Sequence, residues 1–143
     1  MKYIGLLASS ICVLVVLLIN SYYNIINLDI QKISSYVIEC NMILEDYISN
    51  EEKVLNNNEE YISRLLNLKN CIKDTKTSFF TAKYKNYKIK SIESLVNSIS
   101  EDENRSKHLD LVKKFNNLSE DELDSLLDKN LLQVTYLSTR AYE

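Results

Sequence analysis

Apolar residues crowd the start of the chain. From Tyr3 to Ile19 no charged side chain occurs, and Ile11 to Ile19 is unbroken apolar sequence. A bilayer core offers no water to backbone groups, so such a run predicts a helix whose hydrogen bonds close internally. Seventeen residues rise about 25 Å against a hydrocarbon core of about 30 Å, and Tyr22 and Tyr23 suit the interface beyond. A cleaved signal peptide is the first rival, but the residues after Ile19 lack the small side chains a signal peptidase requires. A lipoprotein signal is the second: Cys12 follows Ser9-Ser10-Ile11, with no Leu at the usual place and a bulky Ile before the Cys. The expectation is a retained anchor over residues 1–20 and a domain over 21–143. Lys2 is the only cation before the span and Lys32 the only one close after it, a tilt toward an inside N-terminus and an extracytoplasmic domain.

Beyond the span, Ile26, Ile30, Ile33, Val37, Cys40, Leu44 and Tyr47 alternate steps of four and three, the seam of a helix that packs lengthwise on another. The register continues through Val54, Tyr61, Leu65, Leu68 and Ile72, with polar residues only at Glu51 and Asn58. Two architectures fit. Register continuity favours one long, kinked helix to about residue 74, whereas Ser49-Asn50 and Asn56-Asn57-Asn58 mark a bend, because asparagine competes for backbone bonds.

Residues 74–90 lose the heptad and read as a partly helical connection. A short helix follows with Ile89, Ile92, Leu95, Val96 and Ile99, then a polar surface loop over 100–107. After a stretch with Leu109, Val112, Phe115 and Leu118, Ser119 and Glu122 have the spacing of a reciprocal cap that starts a new helix. Leu123, Leu126, Leu127, Leu131, Val134 and Leu137 line one face of that helix to about Ser138. The fold class is therefore all-α: a single N-terminal transmembrane helix followed by an antiparallel helical bundle with one long proximal helix. The rival is a parallel coiled coil that uses the 26–72 seam between copies.

Composition supports helices, since one Gly and no Pro leave little material for tight turns. A formal charge of −3 gives no basic field for nucleic acid. The weight of Asn, Ile, Lys and Tyr points to AT-rich coding and a low-GC bacterium. The one basic patch is Lys83, Lys85, Lys88 and Lys90 interleaved with Tyr84 and Tyr87: either a solvated inter-helix link or a contact for anionic lipid or a polyanion. Cys12, Cys40 and Cys71 form an odd set without a C-x-x-C pair and read as small apolar fillers, although Cys40 and Cys71 would face each other on antiparallel helices. His108, the one histidine, reads as solvated in the polar loop. The carboxylates at 101–103 and 120–124 lack calcium-loop spacing and suit helix N-termini. With Gly5 in the span, no glycine-rich phosphate loop is possible. No cofactor, metal or small-molecule substrate is expected.

The layout resembles the LemA family. The residues are Tyr23-Asn24 just after the span, the long amphipathic helix, the stretch from Leu95 to Leu109, Phe115-Asn116-Asn117-Leu118 with Glu122-Leu123, and the terminal Thr139-Arg140-Ala141-Tyr142-Glu143. Glu45 to Glu52 departs from the family's Arg-rich, Pro-containing segment. The resemblance implies a membrane-anchored antiparallel bundle and no catalytic residues. The expected function is a non-catalytic interaction or scaffold protein of the cell envelope, bound to another envelope protein or to itself. The alternative is a self-associating coiled-coil stalk of an envelope or phage assembly.

Overall fold

A computed structural model of the chain describes residues 2–101, 103–129 and 133–134, with side chains from residue 9 onward. The elements are α1 (Lys2–Ser49), α2 (Glu51–Asn56), α3 (Asn58–Asp74), a 3-10 turn (Phe79–Thr81), α4 (Ala82–Ser100) and α5 (Arg105–Leu127), with no strand among the described residues.

α1 is one helix with two environments. Val13, Leu14, Val16 and Leu17 are exposed, whereas Tyr22, Ile26 and Ile33 are buried. By length and composition α1 is able to cross a membrane. No Pro and no Gly beyond Gly5 interrupt it, so neither residue kinks it between its apolar start and the bundle.

The long helix does not run to residue 74. It stops at Ser49 because Asn50 leaves helical geometry (φ −150°) and its side chain accepts a hydrogen bond from the Lys53 N–H, capping α2. One short helix later Asn57 breaks the ladder again, with its amide donating to the Lys53 carbonyl at 2.9 Å. Glu51, Glu52, Glu59 and Glu60 occupy the two first turns, where the helix dipole favours them. α3 then descends antiparallel along α1, with Arg64 paired to Glu39 at 3.1 Å and Tyr61 donating to Asp46 at 3.3 Å. The heptad survives because both limbs of this hairpin bury the same stripe: Val54, Tyr61, Leu65, Leu68 and Ile72 share one core with Ile33, Cys40 and Tyr47.

Of the expected seam on α1, Ile26, Ile33, Cys40 and Tyr47 are buried, and two of the intervening positions shift by one. Ile43 is buried and Leu44 only packs against the core, and Asp29 rather than Ile30 occupies the inward position between Ile26 and Ile33. The inward residues are thus 22, 26, 29, 33, 40, 43 and 47, still in helical steps.

α4 begins at Ala82, not near 89, because Tyr84 and Lys88 are buried and extend the stripe of Ile92, Leu95 and Ile99 by two turns. It runs antiparallel to α3, as the Lys69–Glu93 pair at 3.6 Å shows. The polar loop shrinks to residues 101–104. α5 descends against α4 and continues through 119–122 without a new start. Ser119 is fully buried mid-helix, and its hydroxyl donates back to the Asn116 carbonyl at 2.6 Å instead of capping. α5 ends at Leu127; Gln133 and Val134 are again helical, and the rest of the stretch expected to be helical to about Ser138 lies outside the described residues. Val134 packs with Tyr22, Ile26, Phe80 and Leu126, while Leu131, Leu137 and the terminal Thr139–Glu143 motif lie outside the described residues.

The result is an up-down-up-down bundle of α1, α3, α4 and α5. The α2 turn and the 101–104 turn lie at the far end, joined by Arg105 to Glu51 at 3.0 Å. The 75–81 connection and the end of α5 lie at the end nearest the apolar start of α1. There Tyr22 donates to the Leu126 carbonyl at 3.1 Å and packs edge-on against Phe80.

Candidate functional site

The four lysines of the sequence-level patch start α4 and point in different directions. Lys83 pairs with Glu122 of α5 at 3.3 Å. Lys85 donates to the Lys73 and Thr75 carbonyls at 2.7 and 2.6 Å, satisfying groups freed at the end of α3. Lys90 lies over the Phe115 ring at 5.7 Å. Lys88 is buried, over Tyr84 at 5.7 Å and at the edge of hydrogen-bond range from Asn116 Oδ1. Helical spacing separates what linear sequence places side by side.

Lys88 borders a partly open cavity of about 10 Å³ with Cys40, Asn41, Leu44, Ser91 and Asn116, about room for one water. Ser91 donates to Asn116 Oδ1 at 3.0 Å. A nucleophilic site would need a thiolate here. Burial, aided by the nearby Glu39 charge and only partly offset by Lys88, instead pushes the Cys40 thiol up to about 12. Burial also pulls Lys88 below the ordinary lysine value, with Glu120 opposing. Cys40 therefore stays protonated and acts as a small apolar filler. Cys71 is half-buried, Cys12 is exposed on the apolar start of α1, and all three are free thiols.

The most densely bonded polar site is one the pattern did not single out. Asp29 Oδ2 accepts the Ser78 N–H at 2.7 Å, the Ser78 hydroxyl at 2.6 Å and the Thr81 hydroxyl at 2.9 Å, while Oδ1 meets Lys32 at 3.1 Å. Burial alone would raise this carboxyl. The bonds from Ser78, Lys32 and Thr81 outweigh it and hold the carboxyl below its usual range. Lys32 also donates to the Lys76 carbonyl at 3.3 Å. α1 thus supplies, from another element, the acceptor that the start of the 3-10 turn lacks. The available signal was register: a carboxylate between Ile26 and Ile33 on the inward stripe must find donors.

His108 is not in a solvated loop but in the first turn of α5. Its Nε2 lies 3.1 Å from Glu101 and its Nδ1 is enclosed without a hydrogen-bond partner among the described residues. Among the described residues, no three His, Cys, Asp or Glu side chains gather to hold a metal ion. Phe115 to Leu118 falls within α5, and Leu95 to Leu109 spans the α4–α5 turn. No protein-family model matches the chain, and no curated protein or solved structure shows significant similarity to it.

Proposed function

We propose that this chain is a membrane-anchored, non-catalytic scaffold of the bacterial cell envelope, a LemA-type bundle whose outward surface holds another envelope protein beside the membrane. The supporting observation is α1 itself. Its first turns expose Val13, Leu14, Val16 and Leu17, and the same unbroken helix then supplies one wall of the bundle. On the side facing away from that bundle, Leu28, Ile38 and Met42 remain about half exposed or more. At about 100° per residue they fall within roughly a quarter of the helix circumference, a stripe of the kind partner proteins cover. The domain lies outside the cytoplasm in this reading, with Lys2 inside.

The stalk reading is the second. Its 26–72 seam is spent within the monomer, since Ile33, Cys40, Tyr47, Val54, Tyr61 and Leu65 are all buried there, so copies would have to meet on the outer stripe instead. A photo-reactive residue at position 38, introduced into the full chain in its native membrane, separates the readings. The scaffold yields an adduct with one other protein that disappears when Met42→Glu is added. An adduct at twice the chain mass transfers the case to the stalk, and no protein adduct overturns both.

A further inference from the structure

The end of the bundle nearest the span is not closed off from the membrane. We propose that it docks on an anionic bilayer surface, with Phe79 inserted at the interface and Lys73 and Lys76 set against lipid phosphates. The proposal rests on the anchor reading above and adds a second, peripheral contact.

Height fixes the argument. From Lys2 to Tyr22 α1 is continuous, and its twenty steps rise about 30 Å, the thickness of a hydrocarbon core. Tyr22 therefore stands at the bilayer edge. The Phe80 ring packs on Tyr22 at 5.0 Å, and the Phe79 ring on Phe80 at 4.2 Å. The two rings thus carry the tip of the α3–α4 connection down to that level, while Asp29 and Lys32, about 10 and 15 Å further along α1, hold Ser78, Thr81 and the Lys76 carbonyl just above it, at headgroup height. Leu127 reaches the same level, since its carbonyl accepts from Tyr23 at 3.2 Å. At this height Phe79 and Leu127 are both about half exposed, which is unfavourable in water and favourable among headgroups and upper acyl chains.

Charge follows the same geometry. Beside Phe79 an open cleft of about 730 Å³ is lined by Lys73, Asp74, Lys76 and Lys85. Lys85 is tied to the carbonyls of Lys73 and Thr75, which leaves Lys73 and Lys76 on the exposed rim. Asp74 offsets one of the three positive charges. Ammonium groups near an anionic lipid surface gain about 1 kcal/mol each, or roughly fivefold in affinity.

The chain has no Trp, so single substitutions report depth cleanly. Phe79→Trp, Leu14→Trp and Ile48→Trp are each made in the full chain and reconstituted into vesicles of zwitterionic lipid with anionic lipid added. The Leu14→Trp variant reports the anchor: it should be reached by bromines deep in the acyl chains. The Ile48→Trp variant, at the far end of α1, should be quenched by aqueous acrylamide. The Phe79→Trp variant should be shielded from acrylamide, emit further to the blue and be quenched by bromines near the headgroups. Adding Lys73→Gln and Lys76→Gln should return most of its acrylamide quenching. A Phe79→Trp variant as open to acrylamide as Ile48→Trp, with Leu14→Trp still deep, overturns the docking and leaves the anchor. Loss of deep quenching at Leu14→Trp overturns the anchor itself. Shielding that survives loss of both lysines overturns their assigned role.

Discussion

Asp29 on α1 holds Ser78, forty-nine positions later, by two hydrogen bonds from one residue, the backbone N–H at 2.7 Å and the hydroxyl at 2.6 Å. A single carboxylate thereby decides where the α3–α4 connection meets the base of the bundle. Asp29→Asn keeps the shape and removes the charge. It should cost about 2 kcal/mol, the worth of hydrogen bonds to an ionised group.

The pH dependence of that cost has a fixed direction. Folding holds the Asp29 carboxyl below its unfolded value of 3.8, so the unfolded state binds more protons and stability rises with pH. The contribution is complete above the unfolded value and is lost as pH falls through the folded one. Urea unfolding of wild type and Asp29→Asn should differ fully at neutral pH and converge below about 3.8. A gap that is constant with pH would refute an ionised Asp29.

Leu65 is fully buried where α3 meets α1. Leu65→Asp places an unpaired charge in the core and should remove about 4 kcal/mol or more, enough to unfold a bundle of this size. Ile48→Asp, on an exposed position of α1, should change stability by no more than about 0.5 kcal/mol. Helical circular dichroism during thermal unfolding in detergent separates the two.

Lys88→Met should stabilise the domain by about 1 kcal/mol. A buried cation is replaced by an apolar chain of similar length, and Asn116 keeps its bond from Ser91. Burial lowers the Lys88 value below 10.5, so the folded state sheds its proton first and wild-type stability rises with pH in that window. The advantage of Lys88→Met should therefore shrink as pH approaches 10.5. An advantage that grows with pH would contradict the burial argument.

Tyr47 donates to the Ser98 carbonyl at 3.0 Å near the far end of the bundle, where Arg105 Nε also reaches the same oxygen at 3.3 Å. Tyr47→Phe should cost about 1 kcal/mol. Since Arg105 still covers the acceptor, a loss much larger than that in chemical unfolding would mean the hydroxyl holds more of the α1–α4 contact than this bond.

The apolar stripes were legible, because burial imposes helical spacing on Ile26, Ile33, Leu65, Ile72 and Ile92 wherever their helices sit. What the stripe could not carry was direction. The sequence from Tyr47 to Tyr61 keeps its phase through a reversal of the chain, and only the capping geometry at Asn50 and the break at Asn57 show that the chain turns. Ser119 misled for the opposite reason: a serine and a glutamate three residues apart resemble a cap, yet the preceding residues are already helical against α4, so the hydroxyl bonds back along its own helix. Lys83, Lys85, Lys88 and Lys90 looked like one patch because charge was counted along the chain and not around the helix. Asp29 was hidden because helical spacing between Ile26 and Ile33 allows either position 29 or position 30 to face inward, and the apolar choice, Ile30, was the one the pattern favoured.

In the anchored reading, the uninterrupted α1 makes the anchor and the domain one lever. Twenty-seven residues separate Tyr22 from Ser49, so in that reading the far tip would stand about 40 Å from the bilayer edge, and a lean of about 10° in the anchor would swing it sideways by roughly 7 Å. Thinning of the lipid, or crowding around the anchor, would thus become displacement where α1 meets its hairpin turn. A partner on the outer stripe would feel the mechanical state of the membrane without touching it.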